Sequence, residues 1–267
     1  VVQNKIDVVN PERVKESYEE IKNFLSETKY VKSPIIPVSA LHRVNIDALM
    51  AAMHHMFKEP ERDLSKPALM YVARSFDVNK PGTKPGDLVG GVVGGALIKG
   101  EIRVGDIVEI KPGIRTKTTP KPEYTPIETE IVKIRYGSEE SEIARPGGLV
   151  ALQTKLDPSL TKADAMIGNV VGHSVPDPVT DMTIEYRLFE RVIGSRTMEI
   201  VEPVKPKEKL IITVGTAIVG AVVRNVSKER LEVVLDRPVV VVGRKLAAIT
   251  RQVKGRWRLV GWGRIVD

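Results

Sequence analysis

Val14, Tyr18, Ile21 and Leu25 recur every three or four residues, which predicts a helix with one apolar face. Asn10-Pro11 supplies its start, because an Asn side chain caps free N–H groups and Pro suits a first turn. Ile35-Ile36-Pro37-Val38 is a short, near-continuous apolar run of the kind found in buried parallel strands. A second helix is predicted from Asn45, with Ile46, Leu49, Met50, Met53 and Phe57 on one face and Pro60 as its stop. This stretch reads as the end of an α/β unit that cannot bury a sheet by itself, so the expectation is that the rest of that domain lies upstream.

Beyond Leu64 the helical period vanishes. Short β-branched runs alternate with Gly, Pro and Lys-Gly turns, and Leu88–Ile98, Ile107–Ile110, Glu130–Ile134 and Leu149–Leu152 read as strands. Pro176-Asp177-Pro178 reads as a linker, after which Met182–Phe189, Leu210–Val214, Ala221–Val226, Leu231–Leu235, Val239–Val242 and Trp257–Trp262 continue the strand texture. Short strands with turns between them indicate barrels or sandwiches. The expected division is residues 1–64 as the carboxy-terminal part of an α/β domain, 65–176 as one β-barrel and 177–267 as a second.

Composition narrows the classes. Cysteine is absent from the 267 residues, which excludes disulfides and cysteine-ligated zinc within the chain. His42, His54, His55 and His173 have no ligand spacing, so no metal site is expected here. No apolar run is long enough to span a bilayer, no signal peptide is visible, and a cytoplasmic location with no membrane partner is expected. The formal charge is +7, and residues 176–267, with 17 basic and 11 acidic side chains, carry six of those charges. That excess suits RNA or an acidic partner, and equally a solvated surface.

The sharpest chemical signal is Asn4-Lys5-Ile6-Asp7 directly after an apolar stretch. An Asp carboxylate accepts two hydrogen bonds, from N1–H and the exocyclic N2–H₂ of guanine, and adenine offers no such pair. An unpaired buried carboxylate makes the wrong base costly. The Lys stem lies along the base face, and the Asn amide holds the neighbouring loop. Ser39-Ala40-Leu41 follows the second strand and precedes a helix, and it resembles the Ser-Ala-Leu or Ser-Ala-Lys loop of GTPases, from which a backbone N–H reaches guanine O6. Asn4, Lys5, Asp7, Ser39, Ala40 and Leu41 are therefore the expected guanine-binding set. The alternative is an ordinary polar turn. A phosphate-binding loop, G-x-x-x-x-G-K-[ST], is absent, since neither Gly-Lys-Ser nor Gly-Lys-Thr occurs. Asp87-Leu88-Val89-Gly90 matches a γ-phosphate motif but falls in β texture after the guanine motif. No catalytic residue is assigned, and the ligands of Mg²⁺ are expected upstream of residue 1.

Five longer stretches carry a resemblance: Arg74–Thr83, Gly90–Gly95, Arg145–Val150, Leu156–Asp164 and Arg256–Gly263. With the guanine motifs they resemble the gamma-subunit family of translation initiation factor 2, within the translational GTPases similar to elongation factor Tu. Gln3, Ser39-Ala40-Leu41-His42 and the lack of cysteine favour the archaeal form. The resemblance implies an α/β P-loop GTPase domain followed by two antiparallel β-barrels. It also implies binding of GTP or GDP, and a zinc knuckle upstream only. The implied activity is GTP-dependent delivery of initiator methionyl-tRNA to the small ribosomal subunit, with hydrolysis on start-codon selection. This chain alone is expected to be inactive.

In such proteins the first barrel holds the terminal adenosine, which implicates Arg74, Phe76, Val78, Gly91, Val92 and Gly94. Phe76 and Val78 could equally be barrel core. Alpha and beta subunits are the implied partners. The loops Asn79–Asp87 and Lys111–Pro126, with Lys80, Lys84, Arg115 and Lys117, are a candidate surface for them. In Arg251–Arg264, strand alternation suggests core tryptophans and solvent-facing arginines, with RNA contact as the alternative. Two other functions compete: an elongation-type or selenocysteine-specific carrier of aminoacyl-tRNA, and a nucleotide-independent β-barrel RNA-binding protein.

Overall fold

The computed structural model describes residues 1–26, 28–116, 123–193 and 199–266. They form two compact units, Val1–Glu61 and Arg62–Asp267.

In the first unit β1 (Val2–Gln3) lies parallel to β2 (Ile36–Pro37), with α1 (Pro11–Ser26) between them and α2 (Ile46–Met56) following. Asn10 Oδ1 accepts the Arg13 N–H at 2.9 Å and so caps α1 as expected. Asn45 precedes α2 in the left-handed region, at φ 56°, and its side-chain amide donates to the Pro37 carbonyl at 2.8 Å. That bond ties the second helix to the end of β2. The Gln3 amide donates to the Val14 carbonyl at 2.8 Å and ties α1 to β1.

The second unit contains β3 (Leu69–Phe76), β4 (Val92–Lys99), β5 (Ile102–Arg103), β6 (Ile107–Thr116), β7 (Glu123–Tyr136), β8 (Glu139–Ser141), β9 (Ile143–Ala144), β10 (Val150–Thr154) and β11 (Val170–Gly172). It continues with β12 (Val179–Leu188), β13 (Lys209–Val214), β14 (Ala217–Val226), β15 (Arg230–Val239), β16 (Leu246–Val253) and β17 (Arg256–Ile265). The order β10-β4-β3-β11-β6-β7 closes through a β7–β10 pairing into a six-stranded antiparallel barrel, with β8 appended to β7. The order β12-β15-β14-β13-β16-β17 closes a second one. Inward residues such as Met70, Ile110, Ile134 and Leu152 fill the first, and Ile184, Ile212, Leu231 and Ile249 fill the second. The two antiparallel barrels that the sequence predicts are thus present.

A small third cluster joins the barrels. Leu69, Val170 and Val175 pack with Val240 and Val242, and the Tyr71 hydroxyl donates to the Val242 carbonyl at 2.8 Å. Gly215, at φ 57°, sits against the Tyr71 ring, where a Cβ would lie 2.4 Å from a ring carbon.

Three expectations change. Val239–Val242 is not a strand: β15 ends at Val239, and Val240 and Val242 leave the ladder to pack between the barrels. Within Lys111–Pro126, Lys111–Thr116 and Glu123–Pro126 are strand rather than loop, because β6 runs to Thr116 and β7 begins at Glu123. Arg115 pairs with Tyr124, so Arg115 stands on a strand. Strands β3 and β16 went unread, since Leu69–Phe76 and the Ala-rich Leu246–Val253 lack a clear β-branched alternation.

Candidate guanine and RNA sites

In the first unit the two polar loops meet. Asn4 Oδ1 accepts the Lys5 N–H at 2.7 Å and the Ala40 N–H at 3.2 Å. The loops leave β1 and β2 side by side, a register fixed by Ile6 N–H to the Val38 carbonyl and Val38 N–H to the Gln3 carbonyl. Lys5 turns the chain at φ 65°, a backbone region that non-glycine residues seldom adopt and that clusters at functional sites. Ser39 is fully buried; its Oγ accepts the His42 N–H at 3.2 Å, and its hydroxyl bonds the Asp7 carboxylate. That bond, with the charges of His42 and Lys5 assisting, holds the Asp7 carboxyl below its ordinary range. Asp7 stays ionised with its side chain 20% exposed, and His42 Nε2 stands 3.9 Å from Oδ2. Leu41 is exposed. The arrangement offers a fixed anion able to accept two N–H groups from one planar edge.

On the first barrel, Arg74, Phe76 and Val78 are exposed, so Phe76 and Val78 are not core. Arg74 is 70% exposed and its Nε donates to Asp164 Oδ1 at 2.9 Å, an oxygen that also accepts the Ser75 N–H at 2.9 Å. The backbone bond from Ser75, then Arg74, lowers the Asp164 pKa. Ala163 and Asp164 reach this position through consecutive left-handed residues, at φ 53° and 60°. Val92 and Gly91 depart from expectation. The Val92 side chain is buried, and a Cβ on Gly91 would lie 2.3 Å from Thr161 Oγ1, so that glycine serves internal packing. Gly94 is open, with nothing nearer than 3.7 Å to an added Cβ.

Lys80 and Lys84 are exposed on a loop that Asn79 ties shut, through Val89 N–H to Asn79 Oδ1 and Asn79 Nδ2 to the Val89 carbonyl. Arg115 is exposed on β6, and Lys117 lies outside the described residues.

A family model described as initiation factor eIF2 gamma, C terminal, matches residues 180–265. Translation initiation factor 2 subunit gamma of Aeropyrum pernix is 53% identical over 99% of this chain and 65% of its own length. The corresponding protein of Pyrococcus furiosus is 47% identical over 100% of this chain and 66% of its own. This chain belongs to the translation initiation factor 2 gamma-subunit family. It spans 65% of the length of the Aeropyrum relative. Among solved structures, elongation factor SelB from Methanococcus maripaludis superposes with a TM-score of 0.74 at 21% identity, covering 100% of this chain and 59% of that one. A bacterial selenocysteine-specific elongation factor gives 0.73 at 19%, covering 98% of this chain and 39% of that one. These two likenesses describe the fold alone.

The gamma-subunit family assignment leaves two features that sequence reasoning missed. Asp164 organises Arg74, and its only signal was membership of the Leu156–Asp164 stretch. Trp257 and Trp262 are not core: they are 46% and 44% exposed. They stand five residues apart, so strict alternation would send them to opposite faces. A bulge intervenes, because Thr250 pairs with Leu259 and Ile249 with Gly261, leaving Val260 unpaired and buried. The extra residue turns both rings outward. Arg251, by contrast, is largely covered and paired with Glu208.

Proposed function

We propose that this chain is the guanine-reading and tRNA-carrying portion of a GTP-dependent initiation factor subunit. In the full-length factor it holds initiator methionyl-tRNA and delivers it to the small ribosomal subunit, and GTP is hydrolysed on start-codon selection. The observation that carries this reading is the junction of Asn4 with Ala40, because it brings the ionised Asp7 and the Ser39–Leu41 backbone to one mouth. Asp7 accepts N1–H and N2–H₂ of guanine, the Ala40–Leu41 backbone faces O6, and the Lys5 stem covers the base. Exposed Arg74, Phe76 and Val78 support a 3′-end pocket on the first barrel, where Arg74 meets phosphate and the apolar pair meets a base. Gly94 leaves room for close approach.

Among the described residues no group of three or more His, Cys, Asp or Glu could hold a metal ion, so no step here is assigned to Mg²⁺ or zinc. Phosphoryl chemistry belongs to an α/β P-loop GTPase domain of which residues 1–64 form part. Residues 65–176 and 177–267 are the two barrel domains. Lys80, Lys84 and Arg115 suit an acidic surface on an alpha or beta subunit. No described helix is long and apolar enough to cross a membrane, and the cytoplasm is the proposed place of work.

The test is filter binding of labelled initiator methionyl-tRNA to the full-length factor with a non-hydrolysable GTP analogue, GDP or an ATP analogue. Tight binding with the GTP analogue alone, weakened by Asp7→Ala, is the expected result. Equal binding in all three states would leave the barrels as a nucleotide-independent RNA-binding module. Preference for elongator tRNA would favour an elongation-type carrier.

A further inference from the structure

Register alone sets out the outer face of the second barrel. Arg187 on β12 pairs with Trp262 on β17, Trp262 with Ala248 on β16, and Ala248 with Thr213 on β13. The next row pairs Glu185 with Arg264, and Arg264 with Leu246. Trp262 therefore lies directly beside Arg187, with Arg264 two residues along on the same side. The small neighbours Ala248 and Thr213 leave the floor beside the ring flat. No described cation covers the ring, since the one cation–π contact among the described residues is Lys29 over Tyr30.

The carboxylates of this face are engaged elsewhere. Asp181 is held by Arg224, with an N–O separation of 2.5 Å, and Glu185 by Arg230 at 3.6 Å. Among the described residues Arg187 and Arg264 have no carboxylate within salt-bridge distance, and both are exposed. Uncompensated arginines flanking an open indole form the combination that binds single-stranded nucleic acid: phosphate meets guanidinium while a base stacks on the ring. An apolar protein segment would gain nothing from the two free cations, and duplex RNA offers no unstacked base to the indole.

We propose that the outer face of the second barrel binds single-stranded RNA, with Trp262 stacking a base and Arg187 and Arg264 holding the adjoining phosphates. Trp257, about 13 Å from Trp262 by the four steps of about 3.3 Å that separate their β16 partners Gln252 and Ala248, takes a second base. The site is separate from the first-barrel face around Arg74, and it needs no guanine nucleotide.

The two tryptophans are the only ones in the chain, so each reports on the site directly. The probe is fluorescein-labelled decauridylate, titrated against the 267-residue chain with anisotropy and tryptophan quenching read together. Binding with quenching is expected. Trp262→Ala should weaken it about 5- to 150-fold, the loss of one stacked base, while Trp262→Phe retains most of it. Arg187→Ala with Arg264→Ala should flatten the dependence of log K on log salt by about 1.4, or 0.7 per phosphate contact. Asp7→Ala should change nothing, so that failure of the guanine reading and failure of this one are distinguishable. No binding at low salt, or equal affinity for a hairpin duplex lacking unpaired bases, overturns the proposal. So does full affinity in a Trp262→Ala variant whose circular dichroism is unaltered.

Discussion

Asn4 and Ala40 stand 36 positions apart in sequence, and one side-chain oxygen joins them: Asn4 Oδ1 accepts the Ala40 N–H at 3.2 Å. The same oxygen caps its own loop through Lys5 N–H. A single amide thus fixes the separation of the two segments that would meet neighbouring groups on one edge of a base.

Asn4→Ala removes that link without touching Asp7. Guanine nucleotide affinity of the full-length factor should fall about tenfold, the worth of one hydrogen bond of about 1.4 kcal/mol. Fluorescent GDP titration measures it, and an unchanged dissociation constant would mean that the loops hold their spacing by other means.

Asp7→Asn should invert base choice. The amide presents a donor where the carboxylate accepted two, so guanine loses a factor on the order of 10³ or more. Xanthine, whose C2 oxygen accepts a hydrogen bond, should then outcompete guanine in a mixed-nucleotide assay.

The Ser39 hydroxyl is the foremost cause of the lowered Asp7 pKa, whose ordinary value is 3.8. The sign follows from the depressed folded value: the charged carboxylate is present above the ordinary range and is lost as pH falls through the lower one. Guanine binding should therefore persist into mild acid. In Ser39→Ala the acid limb should move to higher pH, and coincident limbs in the two proteins would remove the assigned cause.

Gly94 and Gly95 should separate folding from RNA contact. A Cβ at Gly95 would lie 1.8 Å from the Tyr71 carbonyl oxygen, whereas at Gly94 the nearest atom is 3.7 Å away. Gly95→Ala should cost about 3 kcal/mol by overpacking. Gly94→Ala should unfold with wild-type urea dependence yet bind initiator tRNA more weakly.

Tyr71→Phe removes the hydroxyl that meets the Val242 carbonyl and should cost about 1 kcal/mol. Tyr71→Ala also empties the space between Gly215 and Gly243 and should cost about 3–5 kcal/mol. Urea denaturation reads both. Two separated transitions in Tyr71→Ala would mark the barrels as independent once the ring is gone.

The two polar loops that meet at Asn4 and Ala40 were legible because their chemistry is local: a polar quartet after one strand and a Ser-Ala-Leu after another. The barrels were legible as texture, since β-branched runs between turn residues specify strands without naming their partners. Closure through β7–β10 depends on pairing distant in sequence, which no local pattern encodes. Val240 and Val242 read as strand because β-branched residues suit ladders and interfaces alike. Trp257 and Trp262 misled for a different reason: a bulge reverses parity, and its one local signal in Arg256-to-Gly263 is Gly261, a strand glycine beside the unpaired Val260. Gly91 invited an RNA contact because a missing side chain looks like an opening, and here Thr161 occupies it.

The seam at Tyr71 has a mechanical consequence. A hydroxyl bond, an apolar cluster and two glycines against one tyrosine act together at one point, so sliding the first barrel over the second must break the bond, expose the valines and unseat the ring in the same movement.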